Sequence, residues 1–349
     1  MRGYFPALRI FCASPFWAGV LLLSGSMSYA GPEIGISFPP VSAAEHRAFT
    51  TNALRPIGVT HIRFADNWRR RGLQPDFAPL QRRMTALRQA GFTILLTVQS
   101  DGPDAACAAR NTHSCLITED APLEVYLEGL LTAVGDDLDA IQFGNEWDNQ
   151  FVGTAEEFLA LHQRFASVVR RNRPDLPIVL GGVTGRAAYA QVHCVDQAPV
   201  SIPGIDLEGL STDFCIGDAD RNRRTISDVR YVLGHADYDI ADIHLDDVND
   251  LWLPATRWIS SVAGGRPIWV TEFGGPAPDL EPQDPAYQAQ RLARYLTAIA
   301  NLPIARAYYF KLTDDDTSVH DRSGLYDRRG QPKLALDVFT DFITGDAYN

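Results

Sequence analysis

Two stretches, Ala140-Ile-Gln-Phe-Gly-Asn-Glu-Trp147 and Pro267-Ile-Trp-Val-Thr-Glu-Phe-Gly274, decide how this chain folds. Each is a short apolar run leading into a glutamate, the pattern of a strand buried on both faces whose end emerges from a sheet. If both runs belong to one parallel barrel, Glu146 and Glu272 meet on its C-terminal face, where side chains from different strands converge on a ligand. A strand-end glutamate alone is more often a helix cap or a solvated charge. The conjunction carries the weight: the two lie 126 residues apart, at the fourth and seventh of eight strand positions read independently from the apolar pattern.

Outward from these stretches, short β-rich runs alternate with amphipathic ones, as expected of βα units building a parallel sheet. The pattern predicts strands over 33–38, 60–64, 93–99, 140–144, 177–181, 240–244, 267–271 and 306–310. Helices are predicted over 77–90, 122–134, 155–171, 251–261 and 287–299, with Gly91, Gly135 and Pro174 as stops after three of them. Segment 186–238 breaks the rhythm: it is Gly- and Asp-rich, carries Cys194 and Cys215, and reads as an elaborated loop after the fifth strand. The fold class is α/β, a (β/α)8 TIM barrel, and residues 31–349 suit one such domain, for which ~250 residues is typical.

Residues 1–30 read as a secretory signal peptide. Arg2 and Arg9 lie at the start, an apolar core runs from Phe16 to Leu23, and Ser28-Tyr-Ala30 offers small residues for cleavage. That core is much shorter than the ~20 residues a membrane span needs, so the mature chain is expected to be secreted or periplasmic with no span. Removing Arg2 and Arg9 takes the net charge from −12 to −14, which argues against a nucleic-acid partner. Of five cysteines, Cys12 leaves with the signal. The others allow three connectivities, and export together with proximity favours Cys107 with Cys115 and Cys194 with Cys215, as disulfides restraining loops rather than a zinc site.

Gly144-Asn-Glu146 closing the fourth strand and Thr271-Glu-Phe-Gly274 closing the seventh resemble the signature of glycoside hydrolase clan A, the (β/α)8 retaining hydrolases. The likeness runs in strand order over the mature chain, with sharp motif identity at a few strand ends, and leans toward the family 39 and family 5 region. Gly324-Leu-Tyr-Asp-Arg-Arg-Gly-Gln-Pro-Lys333 also resembles a stretch that many clan members carry before the last helix. The resemblance implies Glu146 as acid/base, Glu272 as nucleophile, Arg63 as the cation beside the nucleophile, and Asn145 as a partner of the sugar 2-hydroxyl. It also implies His244 near the nucleophile or the sugar, a carbohydrate substrate, and no cofactor or metal. Arg63 as an ordinary strand-end ion pair and His244 as a structural member of the barrel mouth are the plainer alternatives.

Retaining hydrolysis needs the two carboxyl groups ~5–5.5 Å apart. The acid must be protonated near neutral pH, so burial and the charge of Glu272 are expected to raise the pKa of Glu146. Gln99, Asp66 and Asn67 at strand ends would supply hydroxyl contacts, and Trp68 or Trp147 would stack on a sugar face, with ordinary barrel packing the equal alternative for Trp147. The chain departs from the clan pattern at its eighth strand, Tyr308-Tyr-Phe-Lys-Leu-Thr-Asp314, which lacks the usual tryptophan floor. Phe310 or Tyr309 is expected to replace that platform, with Lys311 either placed to reach a substrate hydroxyl or carboxylate or standing as a solvated strand-end lysine. Asp314-Asp-Asp316 reads as a solvated acidic loop rather than a calcium site. The reading is a retaining hydrolase, endo-acting on a polysaccharide or oligosaccharide. A transglycosylase with the same site and a catalytically inactive carbohydrate-binding barrel are the alternatives.

Overall fold

The computed structural model describes residues 31–200, 211–274, 284–316 and 320–345. The export signal read over 1–30, and 201–210 of the long segment after the fifth strand, lie outside the described residues. Among the described residues ten strands run in chain order. They are β1 (Glu33–Ser37), β2 (His61–Asp66), β3 (Thr93–Val98), β4 (Cys107–Arg110), β5 (Cys115–Ile117), β6 (Ala140–Phe143), β7 (Ile178–Leu180), β8 (Ala241–Leu245), β9 (Ile268–Phe273) and β10 (Arg306–Tyr309). Eight of them form one parallel sheet in the order β7-β6-β3-β2-β1-β10-β9-β8. The ends approach through a parallel bridge between Val179 and Ile240, with Leu180 N donating to Ile240 O at 3.0 Å, so the sheet is a nearly closed TIM barrel. All eight lie on the runs predicted from sequence, with boundaries moved by at most two residues.

Two cores divide the labour. Between sheet and helices lies a large apolar cluster that includes Ile62, Leu96, Ile141, Ile243 and Val270. Inside the barrel a separate plug of Leu95, Ala140, Val179, Ile240, Trp269 and Tyr308 fills the lower half. Burying side chains of this size contributes about 1.5–3 kcal/mol each. Above the plug the interior turns polar: Ser37, Arg63, Thr97, Gln142, Asp242 and Thr271 are all buried. Polar groups removed from water must bond to one another, and their network forms the floor of the site.

Helices cover the outside at Ala78–Gln89, Asp120–Val134, Ala155–Asn172, Trp252–Val262 and Pro285–Ala300, matching the predicted positions. The Ala155–Asn172 helix opens with a capping box: Glu157 N donates to Thr154 Oγ1 at 3.3 Å, and Thr154 N donates to Glu157 Oε2 at 2.7 Å. The reading of 186–238 as loop is corrected. It contains the 17-residue helix Ala219–His235, which buries Thr225, Val229, Val232 and Leu233 on one stripe. Dense arginine and aspartate between these positions masks a stripe with ordinary helical spacing.

The structure joins Cys107 to Cys115 and Cys194 to Cys215. Cys107 and Cys115 do not sit in an irregular loop; they begin the two strands of the antiparallel hairpin β4–β5 after β3. Among the described residues, no helix is long and apolar enough to cross a membrane.

Candidate active site

The C-terminal ends of the strands open into a cavity of about 620 Å³ whose lining includes Glu146, Glu272, Asn145, Gln99, Phe310 and Lys311, all singled out from sequence. Beyond the end of β6 the chain turns through Gly144 at φ 80° and then Glu146 itself at φ 47°. A left-handed conformation is uncommon for a non-glycine residue and concentrates at functional sites. It releases Glu146 from the strand and starts the helical turn Trp147–Gln150. Glu272 lies within β9, paired in register with His244 of β8.

Arg63 is buried on β2 and organises the Glu272 side of the cavity. Its Nη1 donates to Glu272 Oε1 at 2.5 Å and to Ser37 Oγ at 3.1 Å. Nη2 donates to Asn145 Oδ1 at 2.6 Å, which turns the Asn145 amide nitrogen away from Arg63. Nε donates to Gln142 Oε1 and Thr97 Oγ1, at 3.0 and 3.1 Å. A guanidinium is the side chain that can address five acceptors from one plane without losing its charge.

His244 stands between the two glutamates. Its Nδ1 is 3.0 Å from Glu146 Oε1, and its Nε2 is 3.9 Å from Glu272 Oε1 and 3.1 Å from Thr271 Oγ1. Thr271 Oγ1 donates to Asp242 Oδ2 at 2.5 Å, and Gln142 Nε2 donates to the same oxygen at 2.6 Å, closing a network back to Arg63. The ring fits because position 182 is glycine: a Cβ there would collide with the imidazole. Single ligand atoms of Glu146, His244 and Glu272 all lie within 4.8 Å of one another, so the two carboxylates come within that distance.

The expected rise in the pKa of Glu146 is corrected. Burial does push it up, but the hydrogen bond and positive charge of His244, the Gln150 amide and the charge of Arg63 outweigh burial, and the carboxyl is held below its usual value. His244 moves the other way. Burial opposes its charge, yet Glu272, the bond to Glu146 and the charge of Asp242 raise it to about 9. The two directions together favour the ion pair of imidazolium and carboxylate over the neutral pair.

The aromatic expectations are partly overturned. Trp68 is only 1% exposed and stacks on Tyr126 at 5.5 Å, inside the core. Trp147 is 4% exposed and stacks on Phe158 at 4.7 Å. Neither lines the cavity: Trp68 packs on the Asp120–Val134 helix through Tyr126, and Trp147 on the Ala155–Asn172 helix through Phe158. Tyr309 is also buried, its hydroxyl donating to Ser323 O at 2.8 Å. The apolar wall is Phe310 with Phe38, ring centroids 6.1 Å apart and edge-on, with Phe38 also 5.0 Å from the Arg63 guanidinium.

Gln99 accepts from Asn67 Nδ2 at 2.5 Å, whereas Asp66 is taken up by Arg71 and by Tyr126 Oη at 2.7 Å. Lys311 pairs with Asp315, and Lys333 with Asp314 at 3.0 Å, so two of the three consecutive aspartates are matched to lysines. Phe38, His113, Gln150, Asp246, Asp315 and His320 also line the cavity and were missed from sequence. Of these, only Gln150 carries a local signal, four residues after Glu146 where a helical turn brings side chains together.

No family model matches the chain, and no curated protein matches it. Solved structures do. An exo-β-1,4-mannosidase from Opitutaceae bacterium strain TAV5 superposes with TM-score 0.61 at 16% identity, over 91% of this chain and 60% of that one. A GH5_18 protein from Streptomyces cattleya, solved with Manβ1-4GlcNAc, gives 0.64 at 15% over 91% and 82%. A family 39 glycoside hydrolase from Bacteroides cellulosilyticus WH2 gives 0.63 at 14% over 90% and 64%. This chain thus spans under two thirds of the length of the mannosidase and of the family 39 enzyme. The likeness establishes the fold, a (β/α)8 barrel of the kind found in clan A glycoside hydrolases.

Proposed function

We propose that this protein is a retaining glycoside hydrolase with Glu272 as nucleophile and Glu146 as acid/base. The observation that carries the reading is the carboxylate pair at the ends of β6 and β9, within 4.8 Å, one member bound to Arg63 and the other to His244. That separation suits double displacement; inverting enzymes keep their carboxyl groups ~6.5–9.5 Å apart to admit a water. The solved neighbours named as glycoside hydrolases support the same chemistry.

In the first step a Glu272 oxygen attacks the anomeric carbon, the glycosidic C–O bond breaks, and the leaving oxygen takes a proton from Glu146. In the second step Glu146 removes a proton from water, the water oxygen attacks the same carbon, and the ester to Glu272 breaks. His244 supplies the proton that Glu146 lacks at rest. The negative charge of Glu272 is the largest influence holding that proton on the imidazole. As Glu272 becomes a neutral ester the imidazolium acidifies, and transfer from Nδ1 to Glu146 Oε1 across 3.0 Å becomes favourable just as the leaving group needs it.

Asn145, fixed by Arg63, is assigned to the sugar 2-hydroxyl, and Phe310, Lys311 and Gln99 to the remaining contacts. The substrate is a polysaccharide or oligosaccharide cleaved internally, and the two disulfides fit a secreted or periplasmic enzyme. Reducing-end release across β-glucans, mannans, xylans, galactans and bacterial exopolysaccharides tests the activity, with product lengths separating internal from terminal cleavage. Glu272→Gln should abolish release with an unchanged circular dichroism spectrum, and a fully active variant refutes the nucleophile. Glu146→Ala should spare activated aryl glycosides relative to natural linkages, and equal losses on both count against its acid role.

A further inference from the structure

Glu146 is held at both oxygens, and only one holder belongs to the barrel. Oε1 meets His244; Oε2 accepts from Gln150 Nε2 at 2.6 Å. Gln150 ends the turn Trp147–Gln150, its backbone N–H donating to the Glu146 carbonyl at 2.7 Å. So short a helical turn is unstable by itself. Its outer end is fixed by the hairpin β4–β5: Asn111 Nδ2 and Ser114 Oγ donate to the Gln150 carbonyl, at 2.5 and 3.0 Å. Ser114 Oγ also accepts from Val152 N at 2.6 Å, just beyond the turn. The hairpin is closed by the Cys107–Cys115 bond and moored by Cys115 N donating to Ser100 O at 2.8 Å.

We propose that Gln150 is a positioning residue for Glu146 and that the hairpin β4–β5 is the clamp that sets its reach; the inference rests on the reading of Glu146 as acid/base. An amide offers a donor and an acceptor at one place without carrying charge. With Nε2 forward it donates to the ionised carboxylate, the form that activates water in the second step. When His244 delivers its proton to Oε1, Oε2 remains an unprotonated carbonyl oxygen and still accepts from Nε2, in the form that serves the leaving group in the first. Gln150 thereby holds Oε2 in place in both protonation states while His244 exchanges the proton at Oε1.

The other charged and titratable groups around Glu146 are His244 on β8, Glu272 on β9, Arg63 on β2, Asp246 after β8, His320 after β10 and Asp148 on its own turn. Substitution at 150 leaves all of them in place, so a moved pH profile reports on Gln150. The experiment is kcat and kcat/KM against pH on an aryl glycoside for Gln150→Ala, Gln150→Glu and the pair Asn111→Ala/Ser114→Ala in the full chain.

Losing the Nε2 donor disfavours the ionised carboxylate. The acidic limb of kcat, where Glu146 takes up a proton and can no longer activate water in the second step, should therefore move up by about half to one pH unit, with kcat down roughly tenfold. A carboxylate at 150 repels ionised Glu146 and should move the limb further the same way; the hairpin pair should move it in that direction by less. A limb unmoved in both Gln150 variants overturns the assignment even if the rate falls, because loosened structure lowers activity evenly across pH. A limb unmoved only in the hairpin pair overturns the clamp. If Glu146→Ala keeps the wild-type rate on natural linkages, the acid/base reading itself fails, a result separate from any at Gln150.

Discussion

Replacing Glu272 by glutamine should change the titration of His244, a residue on the neighbouring strand. In the wild type the imidazole is predicted to hold its proton up to about pH 9. Its Nε2 lies 3.9 Å from Glu272 Oε1. At an effective dielectric constant near 20, two charges at that spacing attract by about 4 kcal/mol, equivalent to roughly three pH units. Glu272 is partly open to the cavity, which reduces this, so Glu272→Gln should lower the His244 pKa by about one to three units. The assay is 15N–1H correlation of histidine-labelled protein across pH 5–10, with a His244→Asn variant to assign the resonance among eight histidines. A wild-type imidazole that titrates near 6.5, or a value unchanged in Glu272→Gln, refutes the picture of the Glu272 charge holding the proton away from Glu146.

The same shift links stability to pH. The folded state binds this proton more tightly than the unfolded chain, so the contribution is full below about pH 6.5 and lost as pH rises through about 9; from 6.5 to about 9 it amounts to roughly 3 kcal/mol. The fall in Tm between pH 7 and 9.5 should accordingly be steeper in wild type than in His244→Asn, and parallel curves would contradict it. Trp68→Ala should cost about 3–5 kcal/mol in denaturant unfolding with little change in KM for the folded fraction; a raised KM at unchanged stability would restore Trp68 to the substrate. Phe38→Ala should raise KM more than it lowers kcat, since its ring is part of the cavity wall, and an unaffected KM would remove it from the binding surface.

Much of this was legible in the chain because it is local. Each barrel strand announces itself by an apolar run, since a parallel strand covered on both faces has no polar side to show. Glu146 and Glu272 were legible as the ends of such runs. The helix Ala219–His235 was not, because its buried stripe is diluted by charges that matter only on the solvent side. Nor could a tryptophan near a strand end be sorted between sugar platform and core, as both environments suit a large amphipathic ring. Trp68 and Trp147 are assigned only by what packs on them, Tyr126 and Phe158.

What the sequence by itself determined is the repeating βα pattern, and with it the class of fold and the meeting of two glutamates at one end of a barrel. Only the tertiary structure decided which group carries the proton. That depends on a histidine held 3.0 Å from one glutamate and 3.9 Å from the other, and on an amide tied to a hairpin 39 residues earlier in the chain. The reason is physical: strand formation follows from side chains near in sequence, whereas the charge state of a buried group is a sum over neighbours that only folding brings close.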